Sequence, residues 1–373
     1  MDKSRRSVDN AGRMSHAAST PANSPDAQAS TAGAIAAARG LACWILTDGK
    51  AGDRAHALGI AERLGLAIQE RQVSPRAPWS WLMPHSWRLP GLAIDPRETP
   101  GRPDSPLAGP FPDLVIASGR RAAAYLPAIK AASGGRCFTA FLKDPRTGPT
   151  IADFLWVPEH DRLRGPNVMM TLLSPHRFTP ERLAGAAAAP PAPLVDWPGY
   201  RVALLLGGNS KDFTFTDADI AGFLRRLDRM IASGAVIRAT PSRRTPPALL
   251  EAVRQGLSGS GGWIWDGTGE NPYPALLACS EAIIVTADSV NMVGEALATG
   301  RPVHLVRPSG GSRKIDRFLT ELEEIGAICP FFGRPVLYSY EPMDATPAIA
   351  AALARHLTEF RSRLPRQVAW STP

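Results

Sequence analysis

The sequence predicts an α/β protein built as two parallel-sheet domains that face each other across a cleft. Three observations carry this expectation. Short apolar strands alternate with helical stretches between residues 41 and 306. The alternation is interrupted by an Ala- and Pro-rich stretch over 184–199 and then begins afresh. At 373 residues the chain also exceeds the roughly 250–300 at which one core stops growing.

Residues 1–39, rich in Ala, Ser, Asn, Asp and Pro without sustained periodicity, are read as a disordered tail. The basic start Lys3-Ser4-Arg5-Arg6 runs into polar residues, so no secretory leader is expected, and Asp2, Asp9 and Asp26 argue against a transit peptide. The first domain is expected over 40–190. Leu41 to Thr47 is a strand buried on both faces. A loop with Gly49 and Gly52 follows, and Ala55, Leu58, Ile60, Ala61 and Leu64 then recur at helical spacing. Residues 74–112, with many prolines and Trp79, Trp81 and Trp87, read as an irregular excursion holding at most one short helix. Order resumes with the strand Leu114 to Ala117, the turn Ser118-Gly119 and a helix from Arg120 to Ala132. Further strands are expected at Cys137 to Leu142, Phe154 to Val157 and Val168 to Leu172.

The second domain is expected over 195–340. Its strands are Arg201 to Leu206, Ala235 to Ala239, Trp263 to Trp265, Ala282 to Val285 and Pro302 to Val306. Helices start near Thr216 and Pro246, and another runs from Val290 to Ala298. A last helix over 345–363 is expected to pack back on the first domain.

The bulk chemistry narrows the function. The net charge is +8, from 42 Lys plus Arg against 34 Asp plus Glu, and it is spread along the chain rather than gathered into a block. That favours an anionic small molecule over nucleic acid, and arginine's planar fork suits phosphate. No run reaches the roughly 18 apolar residues of a membrane span, so a cytoplasmic location is expected, with peripheral membrane contact left open by the charge. Cys43, Cys137, Cys279 and Cys329 lack metal-ligand spacing and read as small hydrophobes.

Four segments at strand ends carry candidate chemistry. Thr47-Asp48-Gly49-Lys50-Ala51-Gly52-Asp53-Arg54-Ala55-His56 leaves a strand and enters a helix, where glycines let a ligand approach backbone N–H groups. It fits neither a Walker loop nor the dinucleotide fingerprint, and a plain strand-to-helix turn is the alternative. Gly207-Gly208-Asn209-Ser210-Lys211 suits a diphosphate or sugar hydroxyls, and Thr240-Pro241-Ser242-Arg243-Arg244-Thr245 a phosphate clamp; ordinary turns and solvated arginines are the bland readings. The most informative is Thr286-Ala287-Asp288-Ser289-Val290-Asn291-Met292-Val293-Gly294-Glu295. There Ser289 caps a helix and offers N–H groups to phosphate, and Glu295, almost two turns on, is placed to accept ribose hydroxyls. No Asp-x-Asp metal pair stands at a strand end, since Asp217-Ala218-Asp219 falls at a helix start; neither a metal nor another cofactor is expected.

Ser289 to Val303 resembles the small-residue, Glu, Gly-Pro signature of GT-B nucleotide-sugar glycosyltransferases, which have two Rossmann-like domains; the lipid II-forming N-acetylglucosaminyltransferase is one example. Five further stretches resemble the mitochondrial fission family named for elongated mitochondria, which has many bacterial members. They are Asp48-Gly49-Lys50-Ala51-Gly52, Ala117-Ser118-Gly119-Arg120-Arg121, Val157-Pro158-Glu159-His160-Asp161, Ser242-Arg243-Arg244-Thr245-Pro246 and Trp265-Asp266-Gly267-Thr268-Gly269-Glu270-Asn271-Pro272-Tyr273. These motifs span residues 41 to 335. The resemblance implies two Rossmann-like domains and a nucleoside diphosphate sugar donor transferred without a metal to an acceptor the motifs leave open. Glu295 would hold the ribose, and Ser289 and Asn291 would lie near diphosphate or sugar. Gly208, Asn209, Ser210 and Arg243 would share that site. The first-domain residues Asp48, Gly49, Lys50, Gly52, Ser118, Gly119 and Arg120 would lie near the reacting centre. Where the related glycosyltransferases often carry His after the second glycine, this chain has Asp53, which becomes the candidate base, with His56 one turn on as its substitute. The same resemblance implies a rival: a non-catalytic adaptor that recruits a protein partner at a membrane surface. A nucleotide-sugar epimerase is disfavoured by the missing dinucleotide fingerprint and Tyr-x-x-x-Lys pair.

Overall fold

The computed structural model describes residues 25–89 and 91–365. In the first domain α1 (Pro25–Ala38) precedes β1 (Ala42–Thr47), α2 (Ala51–Arg63), β2 (Ala67–Gln72) and a short α3 (Trp79–Leu82). Then come β3 (Leu114–Ser118), α4 (Leu126–Ala132), β4 (Phe138–Leu142), β5 (Phe154–Pro158) and β6 (Val168–Thr171). All six strands are parallel, in the order β2-β1-β3-β4-β5-β6. Pleating splits the apolar strands between two cores. Cys43, Ile45, Ile116 and Trp156 face α2 on one side, while Trp44, Leu46, Val115 and Phe141 face α4 and the irregular excursion on the other.

α5 (Pro180–Ala188) and α6 (Ala192–Val195) lead into β7 (Tyr200–Leu206), β8 (Phe213–Thr214), α7 (Asp217–Ala232), β9 (Ala235–Pro241) and α8 (Pro247–Leu257). β10 (Trp263–Ile264), α9 (Tyr273–Cys279), β11 (Ala282–Thr286), α10 (Val290–Leu297), β12 (Val303–Val306), β13 (Ser309–Gly310), α11 (Arg313–Glu324) and β14 (Cys329–Pro330) follow. The second parallel sheet has the order β10-β9-β7-β11-β12-β14, the Rossmann order, and β8 and β13 form a separate two-stranded ribbon. Ala203, Leu205 and Ile283 pack under α9 and α10, while Val202, Leu204 and Ile284 pack under α7 and α8. The whole is GT-B-like: two Rossmann-like domains whose sheets face a central cleft.

In each sheet the chain winds outward in both directions from one point, where the loops after adjacent strands part and leave a crevice. That point lies between β1 and β3 in the first domain and between β7 and β11 in the second. Asp48 and Gly119 follow β1 and β3; Gly207 and Asp288 stand just beyond β7 and β11. The motifs that follow β1, β3, β7 and β11 therefore each belong to one of two crevices.

Several expectations need correction. Of the tail read as disordered over 1–39, residues 1–24 lie outside the described residues. Residues 25–38 are the helix α1, whose Ala34 and Ala38 are buried in the first core. Small side chains let it lie close against α12 (Thr346–Ser362), which also packs on α2 and the first sheet. The Ala- and Pro-rich stretch over 184–199 opens inside α5, which is started by Thr179, whose side chain accepts from the Arg182 N–H, with Pro180 in the first turn. Leu173, Leu183 and Ala186 pack with the second core, so the segment from 173 onward, placed with the first domain by its sequence, is shared with the second. The helix expected from Arg120 begins as a 3-10 turn over Ala122–Tyr125 before α4.

The chain passes between the domains twice, and the two passes are tied together. Thr346 Oγ1 accepts from the His176 N–H at 3.0 Å and donates to the His176 carbonyl at 3.1 Å, with Thr346 only 2% exposed. Thr346→Val removes both bonds and leaves buried backbone groups unpaired. It is expected to lower stability by about 1–3 kcal/mol in a urea titration, with Thr346→Ser nearly neutral.

Candidate functional site

The second-domain crevice is organised around a residue the sequence reading passed over. Asp288 has a side chain with no exposure, and three groups meet it. Thr286 Oγ1 donates to Oδ1 at 2.7 Å; the Gly208 N–H and Arg244 Nη2 donate to Oδ2, each at 2.8 Å. The Gly207 N–H in turn donates to Thr286 Oγ1 at 2.7 Å. A Cβ at Gly207 would stand 2.1 Å from Asp288 Oδ1, and one at Gly208 would stand 1.9 Å from the Arg244 carbonyl. Both positions admit only glycine because a carboxylate and a backbone press against them.

That geometry revises the Gly208–Ser210 reading. The Gly208 N–H is already committed to Asp288. Asn209 Oδ1 accepts from the Phe215 N–H at 2.9 Å, and Ser210 Oγ accepts from Asp212 and Phe213 N–H groups at 3.2 and 3.1 Å. These side chains shape their own loop. Of the two adjacent arginines, Arg244 is the one that turns into the crevice; Arg243 is exposed, and its side chain makes no hydrogen bond or ion pair among the described residues. A signal for Asp288 was present in its position two residues beyond a buried strand, yet nothing local distinguishes it from a helix-capping aspartate.

Ser289 caps α10, its Oγ accepting from the Met292 N–H at 3.4 Å. Glu295, on the same helix, accepts a hydrogen bond from the Tyr273 hydroxyl at 2.5 Å, and its second oxygen accepts none among the described residues. Burial pushes the Glu295 carboxyl up to about 7, against the opposing pull of the Tyr273 hydrogen bond. Burial, with the Glu295 charge beside it, raises the Tyr273 phenol well above its usual range.

Asn291 reaches across the cleft. A Cβ at Gly52 would come within 2.9 Å of Asn291 Nδ2, so the first-domain glycine loop and the α10 start meet directly. On the first-domain side, Asp48, Lys50, Asp53, Gly119 and Arg120 border one pocket of about 620 Å³, with Lys143 and Arg146 opposite. Gly49 keeps the loop turned with a φ of +91°, and Ser118 is buried with its Oγ on the Leu142 carbonyl at 3.3 Å.

Asp53 Oδ1 is paired with Lys143 Nζ at 2.6 Å. His56, the substitute candidate, is buried away from the pocket. Its ring is 2% exposed, stands edge-on to Trp156 with centroids 6.0 Å apart, and does not border the pocket. Burial first, then the Lys143 charge, lowers its pKa to about 3, which leaves it neutral at neutral pH. Neither ring nitrogen completes a hydrogen bond among the described residues, although the Asn291 carboxamide lies near enough to oppose the shift. Its place on the inner face of α2, beside Ala57 and Ile60, is the physical reason.

The motif Glu159-His160-Asp161 closes one flank of the cleft. Lys314 pairs with Asp161, Arg317 Nη2 donates to the Glu159 carbonyl at 3.3 Å, and His160 stacks edge-on to Phe318 with centroids 6.2 Å apart.

Three comparisons place this architecture. A sequence profile described as "Mitochondrial fission ELM1" matches residues 51–357. The Mitochondrial fission protein ELM1 of Arabidopsis thaliana is 27% identical over 274 residues, 66% of this chain and 64% of that protein. An uncharacterized protein, RP120, of Rickettsia prowazekii is 32% identical over 159 residues, 40% of this chain and 44% of that one. The chain thus spans less than two thirds of the length of either curated relative. Among solved structures, the S. aureus MnaA–UDP co-structure aligns with a TM-score of 0.50 at 10% identity, over 87% of this chain and 99% of that chain, a likeness of fold.

Removing the central carboxylate tests the crevice. Asp288→Ala leaves the buried Gly208 N–H without an acceptor, while the exposed Arg244 guanidinium turns to water, and is expected to cost about 1–3 kcal/mol in chemical denaturation. Asp288→Asn, which keeps acceptor capacity for the N–H, should cost less.

Proposed function

We propose a function for this chain, which belongs to the mitochondrial fission ELM1 family: it binds a nucleoside diphosphate sugar in the cleft and transfers the sugar to an acceptor held by the first domain. The observation that carries the reading is the placement of Thr286 to Glu295 at the crevice of a Rossmann-ordered sheet, with one Glu295 oxygen fixed by Tyr273 and the other uncommitted. A carboxylate so held accepts ribose hydroxyls without first giving up a protein partner. The UDP of the MnaA co-structure, a protein of like fold, makes UDP the first nucleotide to try.

In the proposed transfer the acceptor oxygen bonds to the anomeric carbon, and the bond from that carbon to the diphosphate breaks. The nucleoside diphosphate leaves with its charge, and the acceptor's proton passes to Asp53. Lys143 holds one oxygen of Asp53 and leaves the other for the proton. Ser289 at the α10 N-terminus and Arg244 would face the leaving diphosphate, supplying fixed positive potential and needing no metal ion. Asn291, which meets both domains, would stand by the sugar.

The adaptor reading draws on a specific observation: the Gly208 N–H and Arg244, obvious phosphate ligands, are engaged by Asp288. The likeness to the Arabidopsis fission protein points the same way. Calorimetric titration of UDP and UDP-sugars separates the two. The expected outcome is binding by the wild type and about tenfold weaker binding by Glu295→Gln, the loss of one charged hydrogen bond. No heat with any nucleoside diphosphate would sink the transferase reading and leave the adaptor.

A pH series sharpens the test. The ionised Glu295 is the form that accepts two hydroxyl hydrogen bonds, so UDP affinity should rise as pH climbs through about 7, and be flat for Glu295→Gln. Stability moves oppositely. A carboxyl whose folded pKa is raised is protonated in the folded state and ionised in the unfolded one between about 4.5 and 7, so its contribution falls as pH rises across that window. Thermal melts of the two proteins should converge below that window and differ above it.

A further inference from the structure

The two crevices are built alike and finish differently. In each, an aspartate beyond one strand seats its carboxylate against the glycine beyond the neighbouring strand: Asp288 against Gly207, and Asp48 against Gly119. Asp288 is fully met by protein donors. Asp48 is not. Its Oδ2 reaches only the Arg121 N–H at 3.5 Å and Lys50 Nζ at 3.7 Å. Its Oδ1 has no partner among the described residues, although the side chain is only 6% exposed. A buried carboxylate oxygen left without a donor is costly, and such atoms mark places where a donor arrives from elsewhere.

Three arginines line the same pocket as Asp48. Arg120, Arg121 and Arg146 border the same pocket of about 620 Å³, are exposed, and carry guanidinium groups with no acidic partner among the described residues. The backbone of the pocket wall is also unusual. Lys143 and Arg146, with φ of +89° and +62°, are the two non-glycine residues of positive φ among the described residues, and both border the pocket. Conformations of that kind persist where the surroundings impose them, and they gather at binding sites.

We infer that this pocket takes an acceptor bearing a phosphate or diphosphate group, with Arg120, Arg121 and Arg146 on the anion and the under-satisfied Asp48 carboxylate accepting from a hydroxyl of the same compound. The inference rests on the transferase reading, because it names the class of that reading's acceptor. Guanidinium forks match phosphate oxygens in pairs. Asp48 adds selectivity, since it repels an anion placed directly upon it and admits only a hydroxyl-bearing neighbour. A phosphorylated sugar in solution and a phosphate-bearing lipid head group share this chemistry.

Inorganic pyrophosphate, titrated into the full chain with and without saturating UDP, tests it. The expected result is pyrophosphate binding that persists with UDP present and weakens about tenfold or more in R120A/R121A, and comparably in Arg146→Ala, while UDP affinity is unchanged. All three side chains are exposed, so the variants should keep the wild-type melting temperature, and an R120K/R121K variant should recover part of the affinity. Pyrophosphate displaced by UDP, or bound equally well by the variants, overturns the inference and leaves the donor reading standing. Arginine-dependent pyrophosphate binding without any UDP binding keeps the anion pocket and removes the transferase reading. Co-sedimentation with phosphatidylcholine vesicles, with and without phosphatidic acid, separates the sources. Acid-dependent sedimentation lost in R120A/R121A assigns a lipid phosphate; pyrophosphate binding without sedimentation assigns a soluble one.

Discussion

The Asp288 carboxylate is the constraint on which the second domain's functional edge depends. Taking a carboxylate fully out of water costs several kcal/mol, recovered only if its oxygens find good donors. Here Thr286, Gly208 and Arg244 supply them within 2.8 Å. Each donor lies on a different segment: the end of β11, the loop after β7 and the loop after β9. One buried charge therefore joins three segments, adding to the backbone hydrogen bonds from Ser242 to Leu206 and from Asn209 to Arg244. It also dictates the glycines at 207 and 208, since a side chain at either place would collide with Asp288 or with the Arg244 backbone. The consequence for binding is that a diphosphate entering this crevice meets an anion already seated in it. Its cradle must come from the α10 start and the outer face of Arg244, unless it displaces Asp288.

The domains are held around this edge by contacts of unequal stiffness. The His176–Thr346 tie joins the two chain passages by buried hydrogen bonds and is the rigid side. The opposite flank relies on the exposed Lys314 ammonium, the Arg317 bond and one ring contact. Exposed ion pairs contribute little, roughly 0–1 kcal/mol. The contacts at 159–161 are thus less costly to break than the buried tie at 176–346. Asn291 and Gly52 meet between the two, so cleft opening acts directly on the contact that brings α10 to the first-domain loop.

Much of this fold is legible in the sequence, and the failures have physical causes. β1, β3, β7 and β11 read cleanly because central parallel strands are buried on both faces and run apolar. β2, with Gln69, Glu70 and Arg71, escaped notice because an edge strand exposes polar side chains; its Glu70 pairs with Arg54 and Gln69 accepts from the Trp44 indole. α5 was masked by its alanines and flanking prolines, although Thr179-Pro180-Glu181 is a helix start in residue chemistry. Of the candidate site, the strand-end loops were placed correctly in sequence, while the partners within them were not. Arg244 and Arg243 are indistinguishable in sequence, and only the path of the backbone past Gly208 turns one inward. Asp288 and Lys143 have meaning only through residues 80 and 90 positions away, at Gly208 and Asp53.

Asp53 is the residue on which binding and transfer separate, and its surroundings bear on the choice. A carboxylate that receives a proton must be held still, must keep one oxygen uncommitted and must border the space the acceptor occupies. Lys143 fixes Oδ1 at 2.6 Å, no group among the described residues bonds Oδ2, and Asp53 borders the first-domain pocket. A purely structural ion pair would need none of these features, and it would not need Lys143 to adopt a φ of +89°. Lys143, at that positive φ, directs its ammonium at one oxygen of a carboxylate on the pocket wall. Under the proposed transfer that arrangement would orient a base, while His56, buried and neutral behind it, fills the inner face of the helix that carries Asp53.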